Sequence, residues 1–216
     1  NYGNTKDSGL SAPSEIGNFW YRWIPKDQII IDENSISIDD KKAIIKNINS
    51  IINRYSKPLV IKNLYFVLRI RLIKELFPNA KFIYLKRDRL YVAQSIYLAR
   101  TKNSKNPQSE WWSLNFPGYE SLLTLPIEEQ IAQQVYQLEN LIQNELSEIF
   151  KENIMEIKYE ELELNSIEKQ FKSFIGTEKR KTFSLDQASF ISGNTQKVDD
   201  DIFFRLKREL DKIFTE

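Results

Sequence analysis

Apolar positions along this chain recur with two different spacings. Over residues 37–55, SIDDKKAIIKNINSIINRY, isoleucines return at three- and four-residue intervals, and Asp39 and Asp40 stand at the start. Those intervals fall on one helical face, and acidic side chains favour a helix N-terminus, so a helix is predicted from about Asp39. YFVLRIRLIKELFP (65–78) predicts a second helix, ended by Pro78. RLYVAQSIYLAR (89–100), residues 127–151 and SIEKQFKSFIG (166–176) predict three more. Gly176 is the expected C-cap of the last, because a residue without Cβ enters the left-handed region at little cost. DIFFRLKRELDKIF (201–214) predicts a closing helix. Between the helices lie short apolar runs, LVIK (59–62), KFIYLK (81–86) and NIMEIKY (153–159). They are too short for helices and read as strands.

Polar and irregular stretches separate these elements. Residues 1–18 are rich in Gly, Ser, Asn and Lys and read as loop, as does TKNSKNPQS (101–109). EWWSLNFPGY (110–119) is an aromatic-rich loop, and 180–200 is irregular. FWYRWIP (19–25) is a dense aromatic cluster that either packs against the domain or lines a pocket. No internal repeat or domain boundary is visible. Short apolar strands alternating with helices imply an α/β fold, with a parallel sheet flanked by helices on both faces. The 216 residues suit a single domain. In such folds ligands bind beyond the carboxyl ends of the strands.

Composition narrows the chemistry. The 31 basic and 30 acidic residues nearly cancel, which argues against a nucleic-acid partner. Cysteine is absent, which removes disulfides, thiolate metal sites and a cysteine nucleophile. Histidine is absent too, so acid–base work falls to Glu, Asp, Lys or Tyr. No metal-ligand cluster is visible. There is no run long enough to span a membrane and no signal peptide, so a cytoplasmic location is expected. The chain starts at Asn1 rather than Met, and it is expected to be incomplete at its N-terminus.

Two cations then stand out. Lys62 ends the first predicted strand and Arg87 ends the second. If those strands are parallel neighbours, both cations share one edge of the sheet. Asp88 can cap the following helix, which puts Ser95 about two turns in. An arginine at a strand end and a hydroxyl on the next helix can hold one phosphate from two sides. The helix N-terminus adds favourable partial charge. On spacing alone a solvated basic edge accounts for the same residues.

The segment KPLVIKNLYFVLRIRLIKELFPNAKFIYLKRDRLYVAQS (57–95) resembles the core of sulfotransferases that use 3'-phosphoadenosine 5'-phosphosulfate (PAPS). The resemblance implies that Arg87 and Ser95 bind the 3'-phosphate and that Lys62 serves the transferring sulfuryl group. Asn63 stands where many members have Asp. EIKYEELELNSIEKQFKSFIG (156–176) resembles the family's tyrosine–glutamate–x–leucine strand end, with Tyr159 on the cofactor side. SGNTQKV (192–198) is similar to a late loop that places Asn194 and Lys197 near the nucleotide. The Trp-Trp and Pro-Gly pairs of 111–118 resemble a substrate-side loop. Trp111 and Trp112, with Trp20, are then candidates for an acceptor wall, or else core residues. The resemblance also implies a P-loop NTPase-like architecture, adenosine 3',5'-bisphosphate as product and no metal. The acceptor would be a hydroxyl or amine on a small molecule, carbohydrate, lipid or peptide. Without histidine a carboxylate should take the acceptor proton. Glu15, in APSEIGNFW, is the candidate, unless it merely caps a helix at 16–23.

One departure weighs against catalysis. The family's phosphosulfate-binding loop, a strand followed by Arg/Lys-Ser-Gly-Thr, is echoed only by KDSGLS (6–11), which no strand precedes. Either that loop belongs upstream of Asn1, or the chain is a non-catalytic binding or assembly protein on the same scaffold. A nucleotide kinase is a third class. It would need Mg²⁺ ligands and a Walker-type loop, and the sequence has neither.

Overall fold

The computed structural model describes residues 17–24, 31, 35–162, 164–176 and 192–215. Glu15, KDSGLS, Pro25 and most of the irregular stretch 180–200 lie outside the described residues. The chain has an α/β fold divided into two compact units. One comprises the described residues up to Ala80 with Ser113–Tyr119 and Leu138–Ile149. The other comprises Lys81–Trp112, Glu120–Gln137 and the described residues from Phe150 on.

The first unit is built on helices α1 (Gly17–Trp20), α2 (Ile38–Tyr55) and α3 (Ile70–Leu76). Ser37 caps α2, its Oγ accepting the Asp40 N–H at 3.1 Å. Asp39 and Asp40 occupy the first turn, where their charge suits the helix dipole. Ile44 and Ile48 face inward and pack with Trp20, Ile24, Leu72 and Leu76. Each such side chain, once buried, contributes about 1.5–3 kcal/mol.

Two expectations for this unit fail. LVIK (59–62) is not a strand. Leu59 and Ile61 pack against the core while Val60 is 67 % exposed, so the side chains alternate as in a strand. No ladder partner lies beside them among the described residues, whose two strands pair with each other. Nor do residues 65–78 form one helix. Asn63 opens a 3₁₀ turn over Leu64–Leu68, its Oδ1 accepting the Tyr65 N–H at 2.9 Å. Arg69 then adopts φ −140°, which no helix tolerates, and α3 starts anew after it. It stops at Leu76, shortly before Pro78.

The second unit holds strands β1 (Phe82–Lys86) and β2 (Ile154–Lys158). They pair in parallel, from Phe82 opposite Ile154 to Lys86 opposite Lys158. Ile83 and Leu85 lie on the exposed face of β1, and Tyr84 on the other. Helix α4 (Arg89–Asn103) follows β1 and is capped by Asp88, whose Oδ1 accepts the Leu90 N–H at 2.9 Å. Helix α7 (Asp200–Phe214) packs on α4 through Tyr91 and Phe203, with ring centres 6.1 Å apart. The Arg89 guanidinium lies 3.7 Å from the Phe214 ring centre. The core joins Ala93, Ile131, Ala132, Val135, Leu206 and Leu210. The long helix α5 (Ile127–Ser147) contributes its first half here. It ends short of the expected residue 151, where a 3₁₀ turn at Lys151–Asn153 leads into β2. Helix α6 (Leu164–Ile175) ends at Gly176, which takes φ +72° as a C-cap. No helix among the described residues is long and apolar enough to cross a membrane.

Candidate functional site

The register of β1 and β2 decides what meets at their carboxyl ends. Lys86 lies opposite Lys158, so the next residues of each strand, Arg87 and Asp88, Tyr159 and Glu160, emerge side by side. A third segment, Ser192–Lys197, completes the group. Arg87 donates from Nε to Asn194 Oδ1 at 2.8 Å and from Nη2 to the Gly193 carbonyl at 3.2 Å. Its guanidinium lies 4.6 Å from the Tyr159 ring centre. The Tyr159 hydroxyl accepts the Gly193 N–H at 3.0 Å. A Cβ at position 193 would sit 3.0 Å from that hydroxyl, so glycine permits the close approach.

The acceptors around Arg87 are neutral: an amide oxygen and a peptide carbonyl. Among the described residues no carboxylate forms an ion pair with it, and nothing hydrogen-bonds its Nη1. Glu160, an acidic residue that feels the Arg87 charge, is turned to other work. Its Oε1 accepts the Asp88 N–H at 2.9 Å and Asn194 Nδ2 at 2.7 Å. The Asn194 amide is thereby fixed at both ends, with its oxygen toward Arg87. The Asp88 N–H holds the Glu160 carboxyl below its ordinary range, outweighing the opposing effect of burial; Asn194 and the Arg87 charge add to it.

The segment is also fastened from the α4 side. Gln94 is 2 % exposed. Its Nε2 donates to the Thr195 carbonyl at 3.0 Å, and its Oε1 accepts the Lys197 N–H at 2.6 Å. The exposed Lys197 side chain makes no hydrogen bond or ion pair with the described residues. Ser95, next to Gln94, donates its hydroxyl proton to the Tyr91 carbonyl at 2.8 Å. To donate to an anion that hydroxyl must rotate, a small change for a serine that back-bonds its own helix.

A parallel strand pair thus ends in a positioned, charge-bearing arginine with a serine-bearing helix behind it. Comparison with protein families fits this geometry: the model of the sulfotransferase family matches residues 22–170. The chain belongs to the sulfotransferase family. No curated protein and no solved structure matched the chain. Arg87, Ser95 and Tyr159 fall within the matched stretch of this sulfotransferase, as do Lys62, Trp111 and Trp112. Asn194 and Lys197 follow it and Glu15 precedes it, so the contact from Asn194 to Arg87 ties a residue outside the match to one inside.

The other candidates are placed as follows. Lys62 is exposed and belongs to the first unit. Trp20 is 1 % exposed, packed edge-on against Phe19 and Phe66 at 5.0 and 4.7 Å, which is the core alternative. Trp111 and Trp112 are half-buried in the second unit. The Arg100 guanidinium lies 5.5 Å from the Trp111 ring centre, and the Trp112 carbonyl accepts Gln134 Nε2 at 2.9 Å. Among the described residues no group of acidic side chains is placed to hold a metal ion.

Sequence reasoning missed Glu160 and Gln94. A signal existed for each. Glu160 follows Tyr159 in the YEEL stretch, and Gln94 is an amide amid residues that bury, where an amide must find partners.

Proposed function

We propose that this sulfotransferase moves the sulfuryl group of PAPS to an acceptor hydroxyl or amine, with the 3'-phosphate held at Arg87 and Ser95. One observation supports the reading: Arg87, at the carboxyl end of a parallel strand, is held in place by Asn194, Gly193 and Tyr159, yet forms no ion pair with a carboxylate among the described residues. A guanidinium held by neutral acceptors keeps its charge for an anion, and its fork suits a phosphate. Lys197 supplies a second cation and Ser95 a neutral donor. A P-loop-like arrangement and a cytoplasmic setting are part of the same reading.

Sulfuryl transfer, like phosphoryl transfer, depends on positioning and on stabilising charge. The acceptor oxygen attacks sulfur in line, the bond from sulfur to the bridging oxygen breaks, and adenosine 3',5'-bisphosphate leaves with the electron pair. Lys62 stabilises the charge that grows on the bridging oxygen. Glu15 takes the acceptor proton. Trp111 and Trp112 form an apolar wall for the acceptor, which is a small molecule, carbohydrate, lipid or peptide.

The test is calorimetric titration with adenosine 3',5'-bisphosphate, beside Arg87→Ala. Binding by the wild-type protein and its collapse in the variant support the reading. A folded, full-length wild-type protein that does not bind overturns it and leaves a binding or assembly protein on the same scaffold.

A further inference from the structure

We propose that Gln94 is a positioning residue of the nucleotide site, fastening the segment Ser192–Lys197 so that Asn194 meets Arg87 and Lys197 is delivered as a second cation. This rests on the reading of Arg87 as the anchor of adenosine 3',5'-bisphosphate.

Three features carry the inference. Gln94 is buried beside Ala93, a core residue, at a helix position where an apolar side chain would pack without needing any polar partner. A buried amide is costly unless both its ends are bonded. Both are, and both bonds go to one distant segment, 101 and 103 residues away. Those bonds reach the Thr195 carbonyl and the Lys197 N–H, backbone groups that flank Gln196. The side-chain amide offers the same donor and acceptor as a peptide group, so Gln94 acts as a one-residue ladder partner. It fixes the backbone while leaving the Lys197 side chain uncommitted. The second anchor lies at the other end of the segment, where Tyr159, Glu160 and Arg87 hold Gly193 and Asn194. Removing Gln94 leaves Thr195–Lys197 spanning from Asn194 to the start of α7 at Asp200, held between them by the Gln196 bonds to Val198 and Asp200.

The experiment compares the wild-type protein with Gln94→Leu, Gln94→Glu and Arg87→Ala. Affinity for adenosine 3',5'-bisphosphate is read by calorimetry between pH 8 and pH 5, and amide exchange is followed in the unliganded proteins. Gln94→Leu should weaken the nucleotide roughly tenfold, the worth of about two neutral hydrogen bonds. It should also speed exchange of the Lys197 amide while α4 stays protected. In Gln94→Glu the ionised carboxylate still accepts from Lys197 but cannot donate to Thr195. The protonated acid can do both. The affinity of this variant, as a ratio to wild type, should therefore recover as pH falls, which a residue that merely fills space would not do. If Gln94→Leu fails to fold, Gln94→Glu, which keeps the shape, carries the test. A ratio near one at every pH, with Lys197 exchange unchanged, overturns the proposal while wild-type binding still supports the site. A wild-type protein that binds no nucleotide, or Arg87→Ala binding as tightly as wild type, overturns the site reading and this proposal with it.

Discussion

Two stretches of this chain are built alike and fold differently. LVIKN (59–63) and FIYLKRD (82–88) each run from apolar residues to a cation to an Asx residue. Each Asx side chain accepts the N–H two residues on, Asn63 from Tyr65 and Asp88 from Leu90, both at 2.9 Å. Yet the first stretch joins no ladder among the described residues and leads into a five-residue 3₁₀ turn, while the second is a strand followed by a 15-residue helix. The difference lies beyond the stretches themselves. Phe82–Lys86 finds β2 in register, and Leu59–Lys62 finds no strand among the described residues. Caps are local and follow from the residue; a strand exists only where another backbone completes it.

The largest expected effects separate the two cations by function. Lys62→Ala should lower turnover by roughly 100-fold or more, the usual loss when a donor to developing charge is removed. Its affinity for adenosine 3',5'-bisphosphate should stay near wild type. Arg87→Ala should do the reverse and weaken the bisphosphate by roughly 30- to 100-fold, as charged hydrogen bonds are lost. Arg87→Lys tests the fork itself: it keeps the charge but loses the planar contact with Tyr159 and the paired bonds, so a loss of roughly tenfold is expected. Steady-state kinetics beside calorimetry decides these cases. If both cations change the same constant, the division of roles is wrong.

A smaller pair tests the caps. Asp88→Ala removes the N-cap of α4 and should cost about 1 kcal/mol, read as a shift in denaturant midpoint. Asn63→Ala removes the same kind of bond from a short turn and should cost no more than that. A larger loss at Asn63 would mean that the turn, not the helix, holds the more cooperative structure.

This contrast also shows where the sequence was legible. Periodicity located α2, α4, α7, β1 and β2 to within a few residues, because the helices place apolar residues on one face, against a core, and the strands alternate more and less buried positions. It failed at 59–62, where strand-like alternation is real but pairing is a tertiary property, and at Arg69, where one residue of non-helical φ splits a helical pattern. At the site, Arg87, Tyr159 and Asn194 were readable as residue types, and the structure joins them. Glu160 and Gln94 were not singled out, because their partners include backbone groups far along the chain. An amide N–H or a carbonyl leaves no signature in a residue string.

The smallest effect is a pH dependence confined to the β1 end. Glu160 holds the Asp88 N–H and the Asn194 amide most strongly while ionised. Its carboxyl is held below the ordinary value of 4.5, chiefly by the Asp88 N–H, so the unfolded chain takes up the proton first as pH falls. Its contribution to stability is therefore complete above about the unfolded value and fades as pH drops through the folded one. Glu160→Gln has no proton to gain at this position. Wild type should be the more stable at pH 7, and the gap should narrow below pH 4.5, measured by denaturant midpoints at each pH. Amide exchange can localise the change. Acid should release the amide of Asp88 before that of Tyr65, whose acceptor is the non-titrating amide of Asn63. A gap that stays constant with pH would mean that Glu160 holds the Arg87 site by shape and not by charge.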